Sequence, residues 1–188
     1  DMAVLAGDKL FIYAFETAAK AFALTDRADL VGKAISILAN KAGIYGMIGG
    51  QSVDVEYTDR PVTKSQLEFI YELKTAALLE AAMMIGAVLA GADDNQVKAA
   101  EQIAHHVGMA FQIRDDILDV ISTTEELGKP VKSDEKNNKT TYVTIYGIDG
   151  ASKLVEEYSH TAMTLLDQVC PNASFLKRLF EYLIVRKK

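Results

Sequence analysis

Apolar residues recur at three- and four-residue intervals along almost the whole chain, and that period commits it to helices. Leu5, Leu10, Ile12, Ala14, Phe15, Ala18 and Ala19 outline a first helix, running to about Leu24. A second, capped at Thr25-Asp26, carries Leu30, Ala34, Ile37, Leu38, Ile44, Met47 and Ile48. It passes through Gly49-Gly50 and ends near Val55. Asp59-Arg60-Pro61 breaks the pattern, and Thr63 with Gln66 has the spacing of a capping box for a third helix, from about Lys64 to Leu89. Gly91 to Asp94 closes that helix, and a fourth spans about Asn95 to Ile121. Ser122 to Asn138 is polar and charged and reads as loop; two further helices fit Gly150 to Val169 and Ala173 to Arg186. Tyr142-Val143-Thr144-Ile145-Tyr146 favours strand by propensity. No partner strand is in view, so a short helix is the better expectation. The expected fold class is all-α, with helices long enough for a bundle.

Hydrophobic residues make up 49% of the chain, enough for a sizeable core. A formal net charge of -6 argues against nucleic acid as a partner, because phosphate backbones call for a basic surface. It says little about a small anionic substrate, which responds to a local group of cations. The lone Cys170 has no internal disulfide partner, and with no signal segment a reducing cytoplasm is expected. Uncharged runs such as Ala81 to Ala92 fall well short of the roughly 20 residues that span a bilayer. The opening residues, Asp1 to Asp8, are already in a helical apolar pattern, so the chain is expected to begin within a domain.

Phe111-Gln112-Ile113-Arg114-Asp115-Asp116-Ile117-Leu118-Asp119 is the most informative segment. Asp115 and Asp119 are four apart and share a helix face, with Asp116 about 100° round. Like charges at that spacing repel, and near a helix C-terminus they face the unfavourable end of its dipole. A bound cation would relieve both. Oxygen-only donors favour a hard ion, Mg²⁺ before Zn²⁺. The plainer reading is a solvated acidic face with Arg114 as local partner.

Downstream, Lys129, Lys132, Lys136 and Lys139 are mixed with acids and read either as a soluble loop or as phosphate partners. Lys74-Thr75 lies inside the apolar third helix. Lys74 either snorkels to the surface or points inward and needs an anion.

In this order the pieces resemble the trans-polyprenyl diphosphate synthases. The second aspartate-rich motif of that family is similar to Phe111–Asp119, its GGQxxD pattern to Gly49-Gly50-Gln51-Ser52-Val53-Asp54, and its KT pair to Lys74-Thr75. Its GKxxxSDxxxxKxT pattern is similar to Gly128-Lys129, Ser133-Asp134 and Lys139-Thr140. The basic ending Arg186-Lys187-Lys188 also resembles the family's. The resemblance is to short-chain bacterial farnesyl and geranylgeranyl diphosphate synthases, and implies that residues 1–188 are the C-terminal part of one helical domain.

What the resemblance implies is a magnesium-dependent prenyltransferase. An allylic diphosphate ionises, the double bond of isopentenyl diphosphate attacks the cation, and a proton is lost. Farnesyl diphosphate is the expected product, with geranylgeranyl or longer products as alternatives. By resemblance Asp115 binds Mg²⁺, with Asp116 and Asp119 direct or through water and Asp134 through water. Lys74, Lys129 and Lys139 contact diphosphate oxygens. Thr75 and Gln112 lie near the cation, Phe111 packs near the isopentenyl tail, and Gln51 and Asp54 line the same cavity, Asp54 pairing with a lysine. A homodimer is implied. Lys132 departs from the family's usual glycine. The family's first aspartate-rich motif and its isopentenyl diphosphate site are absent from these residues, so the 188 residues alone are expected to show no condensation activity. The rival readings are a terpene cyclase, a regulatory subunit of a heteromeric synthase, and a helical protein with no enzymatic role.

Overall fold

Thr63 caps its helix as the sequence predicts. Its hydroxyl accepts from the Gln66 N–H while the Gln66 side chain accepts from the Thr63 N–H. Asp93 with Gln96 and Thr141 with Thr144 build the same reciprocal cap at the two longest helices. The structure, a computed structural model, describes residues 1–122 and 139–186. It has α1 (Met2–Ala19), α2 (Ala28–Ala42), α3 (Met47–Glu56), α4 (Lys64–Tyr71), α5 (Ala77–Leu89), α6 (Asp94–Ile121), α7 (Tyr142–Val169) and α8 (Ser174–Val185). The described residues contain no strand. None of these helices is long and apolar enough to cross a membrane.

α6 runs through the centre, with α7 along one side and α5 along another, and α2 packs on α5. One core cluster joins Leu67, Ile70 and Tyr71 of α4 to Met109, Ile113 and Ile117 of α6 and to Tyr142 and Val155 of α7. A second joins Ile103 and Val107 of α6 to Ala162 and Leu166 of α7 and Phe180 of α8. α1 stands apart, with no buried residue and with Leu5, Leu10 and Ile12 exposed.

Three expectations are corrected. The predicted second helix is two helices, because the chain turns tightly between Gly43 and Gly46. A Cβ at Gly46 would lie 1.9 Å from the Lys41 carbonyl oxygen, so only glycine fits there. Thr25 does not cap α2: its hydroxyl accepts from the Arg27 N–H, and the helix begins at Ala28. The predicted third helix is continuous over its range, but Glu72–Ala76 is a wider π turn joining α4 to α5. The stretch from Tyr142 is helical and forms the first turn of α7, which kinks at Gly147 (φ 70°). Of the predicted loop, residues 123–138 lie outside the described residues.

Candidate active site

The π turn holds Lys74 and Thr75 between two glycines. On one side α3 comes so close at Gly50 that a Cβ there would lie 2.4 Å from the Lys74 nitrogen and 2.8 Å from the Leu73 Cβ. On the other, a Cβ at Gly108 of α6 would lie 2.6 Å from both the Cα and the Cβ of Ala76. Backbone thus meets backbone on both flanks, and the positions of Lys74 and Thr75 are fixed relative to α3 and α6.

Lys74 points to a carboxylate. Its Nζ donates to Asp54 Oδ2 at 2.6 Å, and Lys139 Nζ, arriving from just before α7, stands 3.2 Å from Asp54 Oδ1. Burial pushes the Asp54 carboxyl up. The Lys74 hydrogen bond and the two ammonium charges outweigh it and hold Asp54 below the ordinary carboxylate value. One carboxylate therefore serves two lysines, and both keep about a third of their side chains exposed, 33% for Lys74 and 37% for Lys139. Beside Asp54 and Lys139 is a cavity of about 300 Å³, lined also by Arg60, Val62, Ile70 and Thr140. Next to Lys74, the Thr75 hydroxyl donates to Gln112 Oε1 at 2.8 Å, tying the π turn to α6 one turn before the acidic residues.

The three aspartates of α6 have different surroundings. Asp116 is 3% exposed; its Oδ2 accepts from the Tyr71 hydroxyl at 2.6 Å and from the Tyr142 N–H at 3.1 Å, so it fastens the start of α7 to α4. Asp119 is equally buried. Asp115 is the most open of the three, 31% exposed at its side chain, and its Oδ1 receives Arg186 Nη2 at 2.5 Å. The guanidinium of Arg186 lies 3.8 Å over the Phe111 ring. Arg114, the local partner of the plainer reading, donates instead to the Arg186 carbonyl oxygen at 3.2 Å.

Among the described residues no three His, Cys, Asp or Glu side chains gather closely enough to enclose a metal. A partial donor set still fits Mg²⁺, which keeps several waters and is commonly held by one or two carboxylates together with substrate phosphates. Asp115 supplies an oxygen that already faces a cation, and no competing nitrogen or sulfur ligand accompanies it.

Gln51 does not share the Asp54 cavity. It lines a separate shallow recess with Met47, Ile48, Ser52 and Val55. Lys129 and Asp134, with Lys132 and Lys136, lie outside the described residues. The sequence reading missed Tyr71 and the contact of Arg186 with Asp115, and nothing in local spacing marks either one. His105 Nδ1 lies 3.1 Å from Glu80, and His106 packs on Tyr158.

The described residues form an all-helical protein in which two lysines share Asp54 and Arg186 meets Asp115, the most open of the three aspartates on the central helix. The polyprenyl synthetase family model matches residues 1–172, and the chain belongs to that family. It is 36% identical over 185 residues to the farnesyl diphosphate synthase of Geobacillus stearothermophilus, covering 98% of this chain and 62% of that protein. It is 42% identical over 157 residues to the geranylgeranyl diphosphate synthase of Cyanophora paradoxa, covering 83% of this chain and 52% of that one. Among solved structures, a Helicobacter pylori geranyltransferase complexed with magnesium and isoprenyl diphosphate aligns with a TM-score of 0.82 at 32% identity, over 97% of this chain and 59% of that one. The chain thus spans about three-fifths or less of the length of these relatives.

Proposed function

We propose that this chain forms the diphosphate-binding side of a trans-prenyltransferase that joins an allylic diphosphate to isopentenyl diphosphate. Farnesyl diphosphate is the first-choice product. The 42% identity to a geranylgeranyl diphosphate synthase supports a longer product as the second reading. The observation that carries the proposal is the surplus of positive charge at Asp54, where two half-open ammonium groups share one carboxylate.

In this reading Lys74 and Lys139 turn from Asp54 toward diphosphate oxygens and neutralise the charge that builds as the C–O bond breaks. Asp54 aims both lysines. The Thr75–Gln112 hydrogen bond fixes two oxygens beside Lys74, where an allylic cation would be stabilised. Mg²⁺, held by Asp115 with Asp119 and Asp116 nearby on α6, would supply Lewis-acid neutralisation of the leaving diphosphate. Asp116 has a second task, because its bonds to Tyr71 and Tyr142 set the approach of α7 and so the place of Lys139. Phe111 offers an apolar face for an isoprenoid tail. Lys129 and Asp134 complete the diphosphate and metal contacts in this reading, Gln51 flanks the site on α3, and the whole protein works as a cytoplasmic homodimer.

Calorimetric titration of the chain with inorganic pyrophosphate tests the proposal. Binding is expected only with Mg²⁺ present, and Asp115→Asn should weaken it about a hundredfold, as expected for losing a charge-assisted contact. Pyrophosphate binding that is indifferent to Mg²⁺ and to Asp115 would overturn it.

A further inference from the structure

We infer that Arg186 is a resident counter-ion for Asp115: it occupies the cation-facing side of that carboxylate, and a divalent metal binds there only by displacing it. The inference rests on the reading of Asp115 as a metal ligand and adds the group that competes for it.

The seat is built. Arg186 Nη2 reaches Asp115 Oδ1 at 2.5 Å, and the guanidinium carbon lies over Phe111, 3.8 Å from the ring centre. Phe111 and Asp115 are one turn apart on α6, so a single planar cation covers the ring and meets the carboxylate at once. The side chain is 14% exposed, so this is no loose surface pair. The backbone is tied as well, through Arg114 Nη2 and the Arg186 carbonyl oxygen at 3.2 Å. Residue 186 directly follows α8, which is anchored by the buried Phe180 and by Ile184 packed against both core clusters. The anchored helix therefore delivers the guanidinium to Asp115.

The seat is also incomplete. Arg186 Nε and Arg114 Nε are buried with no hydrogen-bond partner. Two arginines stand together here, linked through one carbonyl, and of the two only Arg186 meets the Asp115 carboxylate. A buried guanidinium with an unmet donor gives back part of what its ion pair contributes. That makes it a replaceable occupant. A divalent ion cannot take Asp115 Oδ1 while Arg186 Nη2 is 2.5 Å away, because the two cations would repel across a few ångströms. Metal loading and departure of Arg186 from Asp115 and Phe111 are then one exchange.

The test is Mn²⁺ binding to the whole chain without substrate, read from loss of the free-ion electron paramagnetic resonance signal, for the native chain, Arg186→Gln, Arg186→Lys and Asp115→Asn. Removing the resident cation should tighten Mn²⁺ binding about tenfold in Arg186→Gln, with Arg186→Lys between, since each factor of ten reflects the loss of one modest charged contact. A second readout uses the unaltered chain: the Arg186 Nε–H signal in ¹H–¹⁵N spectra should shift on Mg²⁺ titration, and should not in Asp115→Asn. Equal or weaker Mn²⁺ binding in Arg186→Gln, or an Arg186 signal unmoved by Mg²⁺, overturns the inference. If Asp115→Asn lowers affinity while Arg186→Gln does not raise it, only the counter-ion role falls. If Asp115→Asn binds Mn²⁺ as the native chain does, the metal-site reading falls with it.

Discussion

Two lysine–carboxylate clusters stand on different elements of the bundle, and they balance charge in opposite ways. At Asp54 two ammonium groups face one carboxylate, leaving a net charge of one positive unit. Where α2, α5 and α6 meet, Lys41 alone faces Glu80 and Glu101, with His105 on the far side of Glu80. That sum is one negative unit with neutral His105 and zero with His105 protonated. Burial pushes the Lys41 ammonium down, but its hydrogen bonds to Glu101 and Glu80 win and raise it. Burial likewise pushes Glu80 up, and His105 and Lys41 hold it below the ordinary value. The second cluster is compensated once His105 is protonated, and its lysine is 17% exposed, half as much as either lysine at Asp54. The cluster around Glu80 ties three helices together and reaches neutrality when His105 is protonated, whereas the cluster at Asp54 carries a surplus positive charge.

Lysine substitutions separate the two most sharply. Lys41→Met leaves Glu101 without its lysine and Glu80 with His105 alone, and is expected to cost about 3 kcal/mol of stability in urea unfolding, with pyrophosphate affinity unchanged. Gly50→Ala should cost about 2 kcal/mol, because its Cβ meets the backbone at Lys74, and it should weaken pyrophosphate binding as well. Lys74→Met leaves Asp54 with Lys139, so the stability loss should stay below about 1 kcal/mol while pyrophosphate affinity falls at least tenfold. If Lys41→Met impaired pyrophosphate binding as much as Lys74→Met, the division into tie and site would fail.

The smallest expected effect depends on pH. The hydrogen bond to Glu80 raises the His105 pKa, burial opposes it, and the Glu80 and Glu72 charges add to the rise while Lys41 subtracts. A raised folded-state pKa means stability fully present below the unfolded value, near 6.5, and lost as pH climbs through the folded value. His105→Gln should therefore cost about 0.5 kcal/mol at pH 6 and close to nothing at pH 9, read from thermal midpoints. His106 works in the opposite sense, since burial and then the His105 charge lower its pKa, so its contribution is lost as pH falls. A cost of His105→Gln that grew with pH would contradict the assignment of its partner.

Much of this was legible in the residues. The helical period gave the all-α class, and the Thr63–Gln66 spacing gave a cap that forms. The run from Phe111 to Asp119 is helical, as its spacing requires. What local spacing could not carry is any contact between distant segments. Asp115 and Asp116 are neighbours with the same side chain, yet one meets Arg186 and the other Tyr71 and the Tyr142 N–H. That difference comes from how α4, α7 and α8 dock on α6. The break between α2 and α3 was hidden because Gly43 and Gly46 lie inside a continuous apolar pattern. The π turn was hidden because one residue more in a turn barely disturbs a periodicity read over twenty.

That extra residue sets a phase offset of about 100° between α4 and α5. Upstream, Leu67, Ile70 and Tyr71 look into the cluster shared with α6 and α7; downstream, the buried Ala77, Ala81 and Val88 belong to the helix that packs on α2. A uniform spiral could satisfy one of these faces and would roll the other toward water. Shortening Glu72–Ala76 by a single residue would therefore be felt along the whole of α5 as a misaligned gear, even though no side chain that binds anything had been removed.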